Sequence, residues 1–591
     1  MASSRYPVIA AAVKERLQVA AIDFGTTYSG YALSFRSDFV DDPLKIMTNQ
    51  WKSGAGRPAS LKTSSCILFR PDQSFDSFGF EAEDKYAELA MDEAHFDWFY
   101  FKRFKMLLYE NKDLNRSTML KDDKGLEMPA MAVFTEGIRY LKDKLIESCE
   151  DRSYGLHLHE IHWVITVPAI WDDTAKQFMR EAAINAGIET DHLSLALEPE
   201  AASLFCKYLP VEKVKGATGG GISCFAPGKR YLVLDAGGGT VDITIHETQR
   251  DHTVRELYKA NGGPWGGTKI DEAFINFLTD ITGPDVMEMF QRDHTDDFLD
   301  LMREFEIKKT GFAPDSDQKI TFKMPISIHE IFQTVRGEDF RRSLISKHDL
   351  RDQVTFAGDK LRVQSGQVKT FFTETCGKIV SHLNDIFNEG SVCGTDTILM
   401  VGGFSESKML QEAIRNGFPD KKIIVPAEAG LAVLKGAVIF GHSPKAIASR
   451  VARHTYGIKI NRTFNRAVHP YSKMMIVDYE EQCTDCFDKH VEIGQEVKVG
   501  LEFDEKSYIP SSRNQTSVNV KVYTSDKKSP EYVDEPGCNL LGNIVIDVSD
   551  IDTYEERNFV VKMIYGDTEL GLEARVLKTG RVLNASFDFL G

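Results

Sequence analysis

Three times in this chain an apolar run of strand length breaks directly into glycine, and this repetition constrains the fold more than any other feature. The first break is Asp23-Phe-Gly25-Thr26-Thr27-Tyr28, after residues 19–22. The second is Asp235-Ala-Gly237-Gly238-Gly239-Thr240-Val-Asp242, after 231–234. The third is Gly402-Gly403-Phe404-Ser405, after 397–401. Consecutive glycines after a buried strand cost ordering entropy and bury no side chain, so close approach of a ligand to the backbone explains them better than packing does. Turn amides and hydroxyls suit phosphate oxygens, and a carboxylate at a strand end suits the water shell of Mg²⁺. Each segment also has a plainer reading: a hairpin with a polar tip for the first, a strand-to-helix turn capped by Ser405 for the third. Two similar aspartate turns suggest an internal duplication, with two lobes closing on one ligand.

Around these breaks the first 440 residues alternate strand-like and helix-like segments, the signature of an α/β domain. Residues 162–167 read as a strand stopped by Pro168, followed by a helix with Asp173 as N-cap and Gly187 at its end. The glycine-rich run 216–221 lacks the Lys-Ser/Thr ending of a phosphate loop and reads as a surface connection. Beyond Gly441 the period changes to two. Val518, Val520 and Val522 alternate with polar residues, as do Ile544, Ile546 and Val548 after an expected turn at Leu541-Gly542. Residues 559–565 read as an extended run, and 576–583 as a hairpin around Thr579-Gly580. The organisation expected is an N-terminal tail (1–16), an α/β domain (17–441), a linker (442–455) and a β-rich domain (456–591).

At 591 residues the chain exceeds what one core supports. Its 71 Lys+Arg against 88 Asp+Glu, a net of −17, argue against nucleic acid as partner, since phosphate backbones need a basic face. Nine scattered cysteines read as reduced thiols. Cys483 and Cys486 form a lone CxxC, two ligands where structural zinc needs four, with His490 nearby. The apolar run 7–13 lacks the layout of a signal peptide, and no run approaches the roughly 20 residues of a membrane span. A cytoplasmic location is expected, with the nucleus also open.

The ordered set of the first two breaks, the Val164-Ile-Thr-Val-Pro-Ala169 run, Glu198-Pro-Glu-Ala-Ala202 and Val401-Gly-Gly-Phe-Ser405 closely resembles the ATPase domain of the seventy-kilodalton heat-shock family, in a divergent branch. The resemblance spans 17–440 and extends weakly into the β-rich end. It implies an actin-like, two-lobed ATPase domain of duplicated ribonuclease-H-like design, followed by a sandwich-like β domain. It implies ATP/ADP and Mg²⁺ as cofactors and slow ATP hydrolysis. The partners implied are a protein or peptide client on the β-rich domain and a nucleotide-exchange factor. Asp23 and Asp235 would hold hydrated Mg²⁺; Gly25, Thr26, Thr27 and Tyr28 would wrap the phosphates, with Gly237, Gly238, Gly239 and Thr240 clamping from the other lobe. Thr240 and Asp242 would face the attacking water, Glu198 is the family's Glu-Pro carboxylate, and Pro168 is its switching proline. Lys308 and Lys309 would flank the adenosine, and Gly402, Gly403 and Phe404 would line the base. The catalytic lysine falls within 101–105, where Lys102, Arg103 and Lys105 are all candidates and Lys102 is the one assigned. Glu406 stands where the family has an arginine, the linker is basic rather than acidic, and no helical lid is expected. These departures motivate a second reading, a nucleotide-gated binding or signalling scaffold with little ATPase activity.

Overall fold

The apolar runs that end in glycine become the inner strands of two sheets built on one plan. The computed structural model describes residues 16–590 apart from 53–59, 152–156, 211–213, 216–222, 347–352, 500–504, 566–569 and 587–588. The run 216–221 therefore lies outside the described residues. In the first sheet, Gln18–Phe24 pairs antiparallel with Tyr28–Phe35, and parallel with Ile161–Val167, which is itself parallel to Leu193–Leu197. In the second, Arg230–Ala236 pairs antiparallel with Val241–Thr248 and parallel with Thr397–Val401, which is parallel to Lys422–Pro426. Each unit is a hairpin with two parallel strands beside it. Parallel neighbours require crossovers, and each crossover includes a helix: Ala130–Asp151 and Asp173–Asn185 in one unit, Ser365–Phe387 and Lys408–Gly417 in the other.

Two capping expectations are corrected. The helix at 173 is capped by Asp172, whose carboxylate accepts from the Ala175 N–H. Ser405 caps nothing: it lies in the short turn Gly403–Glu406, Ser407 holds the N-cap position of the next helix, and the Ser405 hydroxyl is buried without a partner.

The helix Ala432–His442 joins the two units. It lies against Glu198–Tyr208 and the first strand, and the contact is tight enough that only glycine fits. A Cβ on Gly436 would stand 1.7 Å from the Ala201 carbonyl oxygen, and one on Gly441 2.3 Å from Val19.

The expected linker is not a free connection. Ile447–Val451 adds to the second sheet, parallel to Val254–Gly263 and antiparallel to Glu496–Lys498. Its basic residues are absorbed by distant acceptors. Arg450 makes a bidentate pair with Glu200, both oxygens at 2.7 Å and both residues buried. Arg453 donates to the carbonyls of Ala169, Ile170 and Trp171, just after Pro168.

The period-two region forms a five-stranded and a four-stranded sheet with a shared apolar core of Ile458, Val522, Ile546, Val561, Met563 and Leu572. Phe559–Tyr565 and the hairpin around Gly580 form as expected. Leu541-Gly542 does not turn; it sits inside the strand Cys538–Asp547, where Leu541 is the extra residue of a bulge between the Val522–Gly542 and Tyr523–Leu540 pairs. The tail then returns to the first unit: Leu590 is buried in its core, and the Phe589 N–H bonds Gln177. No helix among the described residues is long and apolar enough to cross a membrane.

Candidate functional site

The two hairpins bring their glycine turns face to face. A Cβ on Gly238 would lie 2.2 Å from the Thr27 hydroxyl oxygen, and one on Gly239 2.7 Å from that of Thr26 and 2.4 Å from Met106. Gly25 is equally constrained, since a Cβ would meet the Tyr28 carbonyl at 2.2 Å. The third break closes the other side: Gly402 has φ +84°, and a Cβ there would stand 2.4 Å from an Asp235 carboxylate oxygen. Side chains are excluded wherever the three segments meet, which is the arrangement that leaves backbone N–H groups for a ligand.

Three buried carboxylates, Asp23, Asp235 and Asp242, gather at this junction with the half-buried Glu198. Asp23 receives the Thr166 hydroxyl at 2.9 Å and the Lys62 ammonium at 2.6 Å. Asp242 accepts from the Ile170 N–H at 2.9 Å and the Thr240 hydroxyl at 3.1 Å. Glu198, at the start of its helix, pairs with Lys105 at 2.6 Å. Burial, together with the neighbouring carboxylates, holds the Asp235 carboxyl well above its ordinary range. Burial raises Asp242 despite the Ile170 and Thr240 hydrogen bonds, and it raises Glu198 to about 7 against the opposing pull of Lys105. The cluster thus sets four carboxylates against two lysines, and burial with mutual repulsion favours the protonated form of Asp235. No three of the carboxylates form a metal-ligating group among the described residues, so a hard cation would be held here through water, with Asp23 and Asp235 at the two facing strand ends.

The catalytic-lysine assignment is corrected. Lys102 points away, paired with Asp123 and lying over Phe298. Arg103 has φ +55° and turns the chain, so Lys105 rather than Lys102 enters the cluster. Arg103 itself pairs with Asp271 at 2.5 Å. Lys309 reaches the same Asp271 at 2.7 Å, whereas Lys308 is held by Glu304, the Thr321 carbonyl and the Phe322 face, and does not join the glycine turns. Phe404 is buried near Gly267, Gly403 is open, and Glu406 accepts from the Gly430 N–H. Tyr28 is partly exposed beside Phe80. Cys483 and Cys486 lie in a small apolar cluster with Phe464, and His490 turns instead to Tyr508; the described residues hold no group of three metal-ligating side chains.

Sequence reasoning missed Lys62, Thr166 and a fourth glycine run. Gly266, Gly267 and Thr268 donate their N–H groups to the carbonyls of Gly239, Gly237 and Gly238, fixing the second turn from behind. The pattern Gly262-Gly-Pro-Trp-Gly-Gly-Thr268 was a visible signal for it.

Below the cluster, Glu256 is buried and accepts from the Val451 N–H at 2.8 Å. Burial pushes its carboxyl from 4.5 up to about 8. At neutral pH the folded state therefore keeps a proton that the unfolded chain releases, and stability from this group is full below about pH 4.5 and lost as pH rises through about 8. Stability is expected to fall from about pH 4.5 to about 8, by up to about 1.4 kcal/mol per pH unit for each such proton, and the thermal midpoint with it. Glu256→Gln should flatten part of that slope; an unchanged slope would exclude Glu256 as its source.

Mixed α/β architecture with glycine turns meeting over carboxylates fits an actin-like ATPase fold. Residues 143–328 match the family described as "Hsp70 protein". The chain is 33% identical to human "Heat shock 70 kDa protein 12B" over 97% of its length and 91% of that protein. It is 32% identical to mouse "Heat shock 70 kDa protein 12A" over 97% and 92%. A bacterial "Chaperone protein DnaK", from Thermotoga neapolitana, is 25% identical over 46% of the chain. The chain belongs to the heat shock 70 kDa protein family, in the branch of proteins 12A and 12B.

Proposed function

We propose that this chain is an ATP-binding, chaperone-like protein on an actin-like, two-lobed scaffold, with slow ATP hydrolysis coupled to binding of a protein or peptide by a sandwich-like β-rich part. The observation that carries the reading is the meeting of Thr26 and Thr27 with Gly239 and Gly238 beside the carboxylates of Asp23, Asp235, Asp242 and Glu198. Such turns offer N–H groups and hydroxyls to a triphosphate from both sides, while Lys105 neutralises charge on the transferred group. Glu198 orients Lys105. Thr240 donates to Asp242, leaving its oxygen to accept from a water aimed at the terminal phosphate, so catalysis is positioning rather than covalent chemistry. Bound Mg²⁺ would supply neutralisation of the phosphate oxygens, held through water by Asp23 and Asp235. Arg453 supports coupling: it grips the carbonyls of Ala169 to Trp171, whose Ile170 N–H holds Asp242.

The scaffold reading, with little hydrolysis, is favoured by one specific observation: Arg450 and Glu200 form a buried pair that fixes the connection between the two parts. Titration calorimetry with ATP and ADP on the full chain, followed by single-turnover hydrolysis, separates the readings. Micromolar uptake is expected. Lys105→Ala should slow turnover by about 100-fold or more, while Lys102→Ala should stay within about twofold, as for an exposed ion pair. No uptake at millimolar nucleotide would overturn both readings; uptake with turnover insensitive to Lys105 would leave the scaffold.

A further inference from the structure

Lys62 occupies a position that neither the glycine turns nor the carboxylate pattern announces. It lies one residue before Thr63, which pairs with Ser29, and the Ser65 N–H bonds the Thr27 carbonyl, so this segment is stitched along the first phosphate turn. Its ammonium donates to Asp23 at 2.6 Å, with the lysine side chain 16% and the aspartate 5% exposed. The other Asp23 oxygen is taken by Thr166. Gly30 makes room for the lysine stem: a Cβ there would lie 3.1 Å from Lys62 Cγ. Lys62 also acts electrostatically on Asp235, across the junction. A half-buried ammonium held by Asp23 at 2.6 Å, beside a turn shaped for phosphate, is placed as a resident cation.

We propose that Lys62 is a nucleotide-binding residue that neutralises Asp23 and engages the triphosphate directly, so that this chain binds adenine nucleotide with little dependence on a divalent cation. The proposal rests on the nucleotide-binding reading above. Asp23 has both oxygens engaged, so a hydrated metal at that strand end competes with an ammonium already in hydrogen-bond contact. Triphosphate oxygens, in contrast, meet in Lys62 a donor with three N–H groups, of which Asp23 uses one. Lys105 supplies a second positive charge, held by Glu198.

The test is ATP affinity of the full chain by calorimetry, in excess MgCl₂ and in EDTA, for the native sequence, Lys62→Met and Lys62→Arg. Native affinity is expected to change less than about tenfold on chelation. Loss of one charge-assisted contact should weaken metal-free binding by about 10–100-fold in Lys62→Met, with Mg²⁺ restoring part of it. Lys62→Arg should stay close to native. Manganese uptake by the nucleotide-free proteins, read by electron paramagnetic resonance, supplies a second measurement: Lys62→Met should gain a bound ion that the native chain lacks. Native affinity that collapses on chelation overturns this inference alone, as does a Lys62→Met variant with native metal-free affinity. Absence of uptake under both conditions overturns the nucleotide reading itself, and the phosphate role of Lys62 with it. Matching thermal midpoints for the three proteins exclude misfolding as the cause.

Discussion

Arg450→Met is expected to destabilise the protein by about 3–5 kcal/mol, while the double replacement Glu200→Met/Arg450→Met returns to within about 1–2 kcal/mol of native. Both residues are buried, and the guanidinium meets the carboxylate through two parallel bonds at 2.7 Å. Two desolvated charges in good geometry roughly offset their own solvation cost, so removing both costs little. Removing one leaves the other buried without its partner. Glu200 lies two residues after Glu198, on the helix that positions the carboxylate holding Lys105. The single variant should therefore also lose nucleotide affinity, and the double should regain it. A protein of several units does not unfold in one step, so the check is the thermal midpoint of each transition together with protease resistance. A double variant as unstable as the single would show that the pair is favourable in its own right.

Gly436→Ala should have the second large effect. An alanine Cβ would sit 1.7 Å from a backbone oxygen, a contact no rotamer relieves because the Cβ has no freedom. The helices Ala432–His442 and Glu198–Tyr208 would have to separate, at a cost of about 1–3 kcal/mol or more as for other overpacked cores. That movement would carry Glu198 away from Lys105, so nucleotide affinity should fall with the thermal midpoint. Gly377→Ala is the control. It lies on the exposed face of Ser365–Phe387 with nothing within 4 Å, and alanine there should stabilise by about 0.5–1 kcal/mol. Equal midpoints for the two variants would refute the packing argument.

The inner strands were legible because each is apolar, short and stopped by glycine; residues 397–401 and 559–565 coincide with their strands at both ends. The aspartates and glycines of the facing turns were legible for the same reason. Lys105 was not, because the left-handed Arg103 reverses the chain inside 101–105, and nothing in a run of mixed cations marks a positive φ. Lys62 was hidden because its partner is 39 residues away, on another strand. The misread linker has a related cause. Arg450 and Arg453 look solvated in sequence, and only the acceptors brought from residues 169–171 and 200 bury them. Gly542 shows the limit at finer scale, since a glycine beside a bulged residue, here Leu541, reads like one that makes a turn.

The return of Leu590 to the first unit has a mechanical consequence. The β-rich part is attached to the second unit through Ile447–Val451 and touches the first through Phe589 and Leu590. Arg450 and Arg453 tie the same stretch of chain to Glu200 and to the carbonyls of residues 169–171 of the first unit, so the β-rich part is held at more than two points. Any change of angle between the two units moves those anchor points relative to each other, and must either shear the two β-sheets or pull the tail from its seat.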